Sequence, residues 1–234
     1  MKLSIIICVF NEGDTIMEVL RRVQLADLGA NWQKEIVVVD NCSTDGTREL
    51  LRDYHAANAR VIMQAENRGK GHSVRTAIPL CRGDFTIMQD ADLEYHPRQY
   101  ATLLARALSD DLDVVYGSRV LGGKRYHHYA VNYWAVRTLT WLTNRFFGSN
   151  FTDVATNYKL VRTQLLQSLK LRCSGFDLDF ELSNQLALAT EKIAEVPIDF
   201  EPRTYAQGKK IGLRDGMYAF RVIMRDWIAS ARGR

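Results

Sequence analysis

The sequence predicts an α/β protein with a mainly parallel central sheet and helices on both of its faces. Three observations predict it. Short apolar runs of strand length alternate with segments of helical apolar spacing through the first half of the chain. The runs are apolar nearly throughout, as strands buried on both faces require. The links between them are short, so each strand–helix–strand passage reads as a crossover between parallel neighbours.

Taken in order, Leu3–Phe10 is the first buried strand. Asp14–Gln24 is a helix, with Ile16, Val19, Leu20 and Val23 on one side and Asp14 near its start. Glu35–Asp40 is the second strand, and Thr44-Asp45-Gly46-Thr47 opens a helix through Tyr54. Arg60–Gln64 is the third strand and Gly69–Cys81 a helix with Val74, Ala77, Ile78 and Cys81 on one side. Asp84–Gln89 is the fourth strand. Pro97 suits the first turn of a helix running to Leu108, and Asp113–Gly117 is the fifth strand. The second half is less regular. Asn132–Phe147 reads as a helix rich in aromatics, Val154–Val161 holds a short strand, Asp179–Thr190 is helical and Lys192–Phe200 strand-like. Asp215–Ser230 has the amphipathic spacing of a surface helix. The expected division is a catalytic domain over residues 1–213, with 214–234 as an amphipathic helix packed on it or on a membrane surface. Gly122–His128 and Arg203–Gly212 read as basic, glycine-bearing loops.

Composition excludes several classes. The chain has 234 residues, 47% hydrophobic and 25% charged, enough for one sizeable core. Its net charge of +4 is too mild to indicate a nucleic-acid binder. Four scattered cysteines, Cys8, Cys42, Cys81 and Cys173, form no C-x-x-C pair, which argues against zinc and against a disulfide framework. Reduced cysteines point to a cytoplasmic setting. The first apolar run ends at Asn11-Glu12 without a cleavage signal, and no apolar stretch reaches membrane-spanning length.

In a sheet of this kind ligands bind beyond the carboxyl ends of the strands. Those ends are Phe10-Asn11-Glu12, Asp40-Asn41, Glu66-Asn67-Arg68, Asp90-Ala91-Asp92 and Gly117-Ser118-Arg119, all polar. Asp90 and Asp92 are the centre of the set. Strand alternation can aim both carboxylates at one point, where they repel unless a cation lies between them. Oxygen ligands of this kind suit Mg2+ or Mn2+. Gly69-Lys70-Gly71 could bring backbone N–H groups and an ammonium toward a phosphate. G-x-G-x-x-G and Walker A patterns are absent.

Five segments in fixed order, Val9-Phe10-Asn11-Glu12, Asp40 to Thr47, Asn67 to Gly71, Gln89 to Tyr95 and Tyr116 to Arg119, resemble glycosyltransferase family 2. Within it they are similar to the polyprenyl-phosphate sugar transferase branch that includes dolichyl-phosphate mannose synthase. Thr152 to Lys159, Phe180-Glu181 and Glu195 to Gly212 extend the likeness over nearly the whole chain. The resemblance implies a GT-A fold, a GDP- or UDP-linked sugar donor, Mg2+ or Mn2+, and inversion at the anomeric carbon. It implies metal ligation by Asp90 and Asp92, with Glu94 where the family commonly has Gln. It places Asp40 at the base or ribose, and Val9, Asn11, Glu12, Asn41, Arg68, Gly69, Lys70, Asp90 and Ala91 around the donor. Asn41 stands where the family often has a second acid.

With Asp92, Arg119, Asp153 and Arg203 as the reacting centre, the expected roles divide as follows. Arg119 grips an acceptor phosphate, for which its planar fork is suited. Asp153 is the base if the acceptor is instead a sugar hydroxyl. Arg203, Lys209 and Lys210 stabilise the leaving diphosphate from a closing flap. A polyprenyl phosphate acceptor and peripheral membrane contact through the two late helices are expected. The alternatives are a soluble saccharide, peptide or metabolite acceptor, and a nucleotide-sugar-binding protein without turnover.

Overall fold

The structure, a computed structural model, describes residues 1–121, 130–203 and 213–232. Seven strands form one sheet in the order β3-β2-β1-β4-β6-β5-β7. They are β1 (Lys2–Val9), β2 (Gln33–Asp40), β3 (Ala59–Met63), β4 (Phe85–Asp90), β5 (Val114–Ser118), β6 (Lys159–Arg162) and β7 (Ile193–Pro197). All neighbours run parallel except at β6, which is antiparallel to both β4 and β5. The predicted first five strands are present within two residues at each end. The predicted strand over Val154–Val161 begins only at Lys159.

Eight α-helices cover the sheet among the described residues: α1 (Ile16–Leu25), α2 (Thr47–Arg52), α3 (Lys70–Ala77), α4 (Tyr100–Ser109), α5 (Ala130–Phe147), α6 (Thr163–Ser168), α7 (Leu178–Ala189) and α8 (Leu213–Arg232). Helix α3 stops four residues short of the predicted Cys81. Pro79 cannot donate to the carbonyl four residues back, and the chain tightens into a single 3-10 turn, Ile78–Leu80. Helix α6 has no counterpart in the sequence reading, because six residues are too few to display an apolar period.

Alternation along the strands divides the core in two. Ile5, Ile7, Ile36 and Val38 face one side of the sheet with α1 and α4. Ile6, Val37 and Val39 face the other, where α3, α5, α7 and α8 pack. Helix α8 packs on α7 and α5. Arg225 of α8 donates at 2.6 Å to Glu181, which is fully buried on α7, and Trp227 stacks on Phe146 of α5 at 4.8 Å. All four cysteines are free thiols.

The register fixes the site. Cys8 of β1 lies beside Asp90 on β4, and Val9 beside Asp40 on β2. Because β6 runs the other way, its start, not its end, meets the carboxyl ends of β4 and β5. The loop 152–158 is thereby brought to the edge where Asp90 and Arg119 sit.

Candidate active site

A cavity of about 1130 Å³ opens beyond these strand ends. Its two walls differ. One is polar and includes Glu12, Asp90, Asp92, Glu94, Arg119 and Arg203. The other is apolar and comes from the late helices, with Val136, Leu139 and Leu142 on α5, Phe180 on α7, and Met217 and Phe220 on α8.

The carboxylates of the polar wall are held apart by cations. Lys70 Nζ donates to Asp90 Oδ1 at 3.0 Å and lies 5.6 Å from the Phe176 ring centre. Arg203 reaches into the rest of the cluster. Its Nη2 donates to Asp92 Oδ2 at 2.8 Å, its Nη1 to Glu12 Oε2 at 3.0 Å, and its backbone N–H to Glu94 Oε1 at 2.6 Å. Its Nε, buried and without a hydrogen bond among the described residues, is 3.8 Å from Glu94. One guanidinium does not neutralise this set. Burial, with Asp90 and Glu94 as like charges, pushes the Asp92 carboxyl up to about 8 against the opposing pull of Arg203. Glu94 is raised as well, by burial first.

Several expected donor residues shape the loops rather than the cavity surface. Asp40 is fully buried. Its carboxylate pairs with Arg48 at 2.9 Å and accepts the backbone N–H groups of Cys42 and Ser43, so it fixes the turn after β2 and lies behind the wall. Asn11 adopts a left-handed φ of 53° and its Oδ1 accepts the Thr44 N–H at 2.8 Å, tying the ends of β1 and β2 together. Asn41 does line the cavity, but its amide is engaged by Asn67 and by the Arg68 N–H, which holds the third loop in place. The Arg68 side chain turns outward to Glu66. Val9, Glu12, Gly69, Lys70, Asp90 and Ala91 line the cavity.

The Gly69-Lys70-Gly71 turn does not open its N–H groups to a phosphate. The segment 173–175 covers the start of α3, and Ser174 O accepts the His72 N–H at 3.2 Å. A Cβ on Gly71 would lie 2.7 Å from Cys173 O, so glycine is there for close backbone packing. What the turn contributes to the cavity is the Lys70 ammonium.

Arg119 and Asp153 form one unit. Asp153 accepts from Arg119 Nε at 2.7 Å, from Nη2 at 2.8 Å and from the backbone N–H at 3.1 Å. Burial alone would raise this carboxyl, but Arg119 brings it below its ordinary value. Asp153 is thus an orienting anion for Arg119 and lies off the cavity surface, so it is placed poorly for a general base. Arg119 lines the cavity, with its guanidinium 5.1 Å from the Phe200 ring centre, and its Nη1 is outside the pair. Glu195 supports the same loop by accepting the Thr152 N–H and Oγ1. Lys209 and Lys210, with the basic loop over 122–128, lie outside the described residues.

Sequence reasoning missed two residues that line the cavity and the buried cation behind them. Asn157 and Asp179 line the cavity, and the fully buried Lys159 donates to Asp179 Oδ1 at 2.6 Å. Lys159 sits in an apolar strand pattern, and only the antiparallel course of β6 shows where it points.

A profile described as Glycosyl transferase family 2 matches residues 4–170. The chain belongs to this family. Glycosyltransferase AglJ of Haloferax volcanii is 28% identical over 222 residues, covering 92% of this chain and 69% of the relative. Dolichol-phosphate mannosyltransferase of Pyrococcus furiosus is 26% identical over 216 residues, covering 91% and 60%. The chain thus spans roughly two thirds of the length of these relatives. Among solved structures, glucosyl-3-phosphoglycerate synthase of Mycobacterium tuberculosis, in complex with Mn2+, uridine diphosphate and glucosyl-3-phosphoglycerate, superposes with a TM-score of 0.70 at 19% identity, covering 96% of this chain and 79% of that one. The sheet order and this likeness establish the expected GT-A fold, and the family and its named members carry the expected glycosyltransferase class.

The family's divalent cation can be tested against these residues. Among the described residues, no group of three or more acidic, histidine or cysteine side chains is gathered around one point as a metal site. The expected triad of Asp90, Asp92 and Glu94 is divided between Lys70 and Arg203. The donor chemistry nevertheless fits: hard carboxylate oxygens, crowded so that Asp90 and Glu94 disfavour the charged form of Asp92, a repulsion that a divalent cation would relieve.

Proposed function

We propose that this glycosyltransferase moves a sugar, with inversion, from a GDP- or UDP-linked donor to a polyprenyl phosphate. The observation that carries the reading is the two-walled cavity. A charged wall suits a sugar diphosphate and an acceptor phosphate, and a continuous apolar wall from α5, α7 and α8 suits a prenyl chain.

The acidic wall would hold the donor diphosphate through Mg2+ or Mn2+ ligated by Asp90, Asp92 and Glu94. Bound there, the cation supplies Lewis-acid stabilisation of the leaving diphosphate. Arg203 leaves the carboxylates and pairs with diphosphate oxygens instead. Arg119, held by Asp153, offers its Nη1 side to the acceptor phosphate. A phosphate oxygen of the acceptor attacks the anomeric carbon as the carbon–oxygen bond to the diphosphate breaks. The bonding electrons leave with the nucleoside diphosphate. The acceptor is already an oxyanion, so no general base is required. That agrees with Asp153 being committed to Arg119.

The apolar wall continues outward. Trp134 and Trp141 on α5 and Met217, Phe220, Trp227 and Ile228 on α8 are exposed. Exposed apolar side chains on these two packed helices suit contact with a bilayer surface, from which a prenyl chain would enter. Among the described residues, no helix is long and apolar enough to cross a membrane.

The test is a transfer assay with Mn2+ or Mg2+, GDP- and UDP-sugars, and either a short prenyl phosphate or 3-phosphoglycerate. Glycosyl prenyl phosphate is the expected product. Transfer to 3-phosphoglycerate alone would refute the acceptor assignment, and binding of donor without turnover on any acceptor would refute the activity.

A further inference from the structure

The floor of the cavity carries a polar pair that the proposed reaction has not used. Asn157 is only 3% exposed, yet it lines the cavity, and its Oδ1 makes no hydrogen bond among the described residues. Buried polar oxygens without partners are rare and require an explanation. Asn157 is not loosely placed. Its backbone N–H donates to the Tyr95 hydroxyl at 3.0 Å, and Tyr95 is itself buried.

Asp179 is the second member. Lys159 Nζ donates both to Thr156 O and to Asp179 Oδ1, so the residue before Asn157 and the Asp179 carboxylate are gathered around one buried ammonium. Asp179 Oδ2 takes no part in that pair. The two residues therefore offer the cavity an amide oxygen and a carboxylate oxygen, both acceptors.

The ligand met there must bring donors. A phosphate brings only acceptors, which neither of these two oxygens can serve. A prenyl chain brings neither donors nor acceptors. Sugar hydroxyls meet the requirement. The position agrees: the antiparallel course of β6 directs the loop carrying Asn157 toward the carboxyl end of β4, Asn157 and Asp90 line the same cavity, and Lys70 bridges from Asp90 to Phe176, three residues before Asp179. Asp90, Asp92, Asn157 and Asp179 line one cavity, where a sugar joined to a diphosphate would also lie.

We propose that Asn157 and Asp179 form the subsite that reads hydroxyls of the transferred sugar, and that it selects neutral hydroxylated sugars over acidic ones. The proposal rests on the donor assignment made above. Isothermal titration of the full chain with Mn2+ tests it, comparing GDP-mannose with GDP, and UDP-glucose with UDP and UDP-glucuronate. Wild type is expected to bind the better-fitting neutral nucleotide sugar more tightly than its nucleotide alone. Asn157→Ala is expected to lose roughly three- to tenfold of that gain, with nucleoside diphosphate affinity unchanged. The variant removes an amide whose oxygen makes no hydrogen bond among the described residues, so its melting temperature should fall little. Asp179→Asn is expected to narrow the preference for a neutral sugar over its uronate. An unchanged sugar gain in Asn157→Ala would overturn the subsite, as would an equal loss for sugar and bare nucleotide. Failure of wild type to bind any nucleotide or nucleotide sugar would overturn the donor assignment itself.

Discussion

Replacing Arg203 with alanine separates the two roles this residue holds. In the structure its guanidinium serves three carboxylates, Glu12, Asp92 and Glu94, whose side chains are 10%, 13% and 17% exposed. Removing one partner of a buried ion pair costs about 3–5 kcal/mol. Arg203 is itself 22% exposed, so the lower end, about 3 kcal/mol, is expected. For a chain of this size that is a fall of roughly 6–12 °C in melting temperature. The loss has a defined pH dependence. Asp92 already titrates at about 8 in the fold, well above an unfolded aspartate, and losing Arg203 raises it further. An acid whose folded pKa is raised binds more protons folded than unfolded, so its charged form opposes folding and stability falls as pH rises through that window. The Asp92 share of the Arg203→Ala deficit should therefore be absent below about pH 7, where the carboxyl holds its proton in both folded proteins, and should grow as pH rises through 8. Mn2+ should reverse it. At a hundredfold excess over its dissociation constant a ligand adds about 2.7 kcal/mol, and without Arg203 its guanidinium no longer competes for Asp92 and Glu94. Thermal melts at pH 5 and pH 8.5, with and without Mn2+, read all of this. A variant as stable as wild type at pH 8.5, or one that Mn2+ stabilises no more than wild type, would refute the exchange of guanidinium for metal.

Two further substitutions probe the same architecture. Asp92→Asn removes a charge that its neighbours disfavour, so the metal-free protein should melt at or above the wild-type temperature while Mn2+-dependent stabilisation and donor turnover are lost; full turnover in the presence of chelator would defeat the metal assignment. Gly71→Ala drives a methyl to within 2.7 Å of Cys173 O and 2.9 Å of Gly175 O. It should cost about 1–3 kcal/mol by overpacking and loosen the 173–175 segment against α3, measured by chemical denaturation and by faster amide exchange at His72. Unaltered stability and exchange would show that the contact tolerates the methyl.

Local pattern was enough for the strands. A run such as Ile5-Ile6-Ile7 or Ile36-Val37-Val38-Val39 is buried on both faces wherever it packs, and strand ends in a parallel sheet face one edge regardless of their order. The sequence by itself therefore determined the α/β class, the edge where the site lies, and the presence there of Asp90, Asp92 and Arg119, while Arg203 came in through the family resemblance. Tertiary structure decided the partners. Asp40 and Asn11 stand at the right edge but face the neighbouring turn, because Arg48 and Thr44 reach them there. Asp153 pairs with Arg119 from 34 residues away. Glu181 and Arg225, 44 residues apart, seat α8 so that its apolar face completes the cavity. The direction of β6, only four residues long, could not be read from its pattern, yet it brings Asn157 and Lys159 to the floor of the site. Burial is a property of each segment's own periodicity. Which charge meets which carboxylate depends on sheet order and on loops closing across the fold, and no local pattern encodes that.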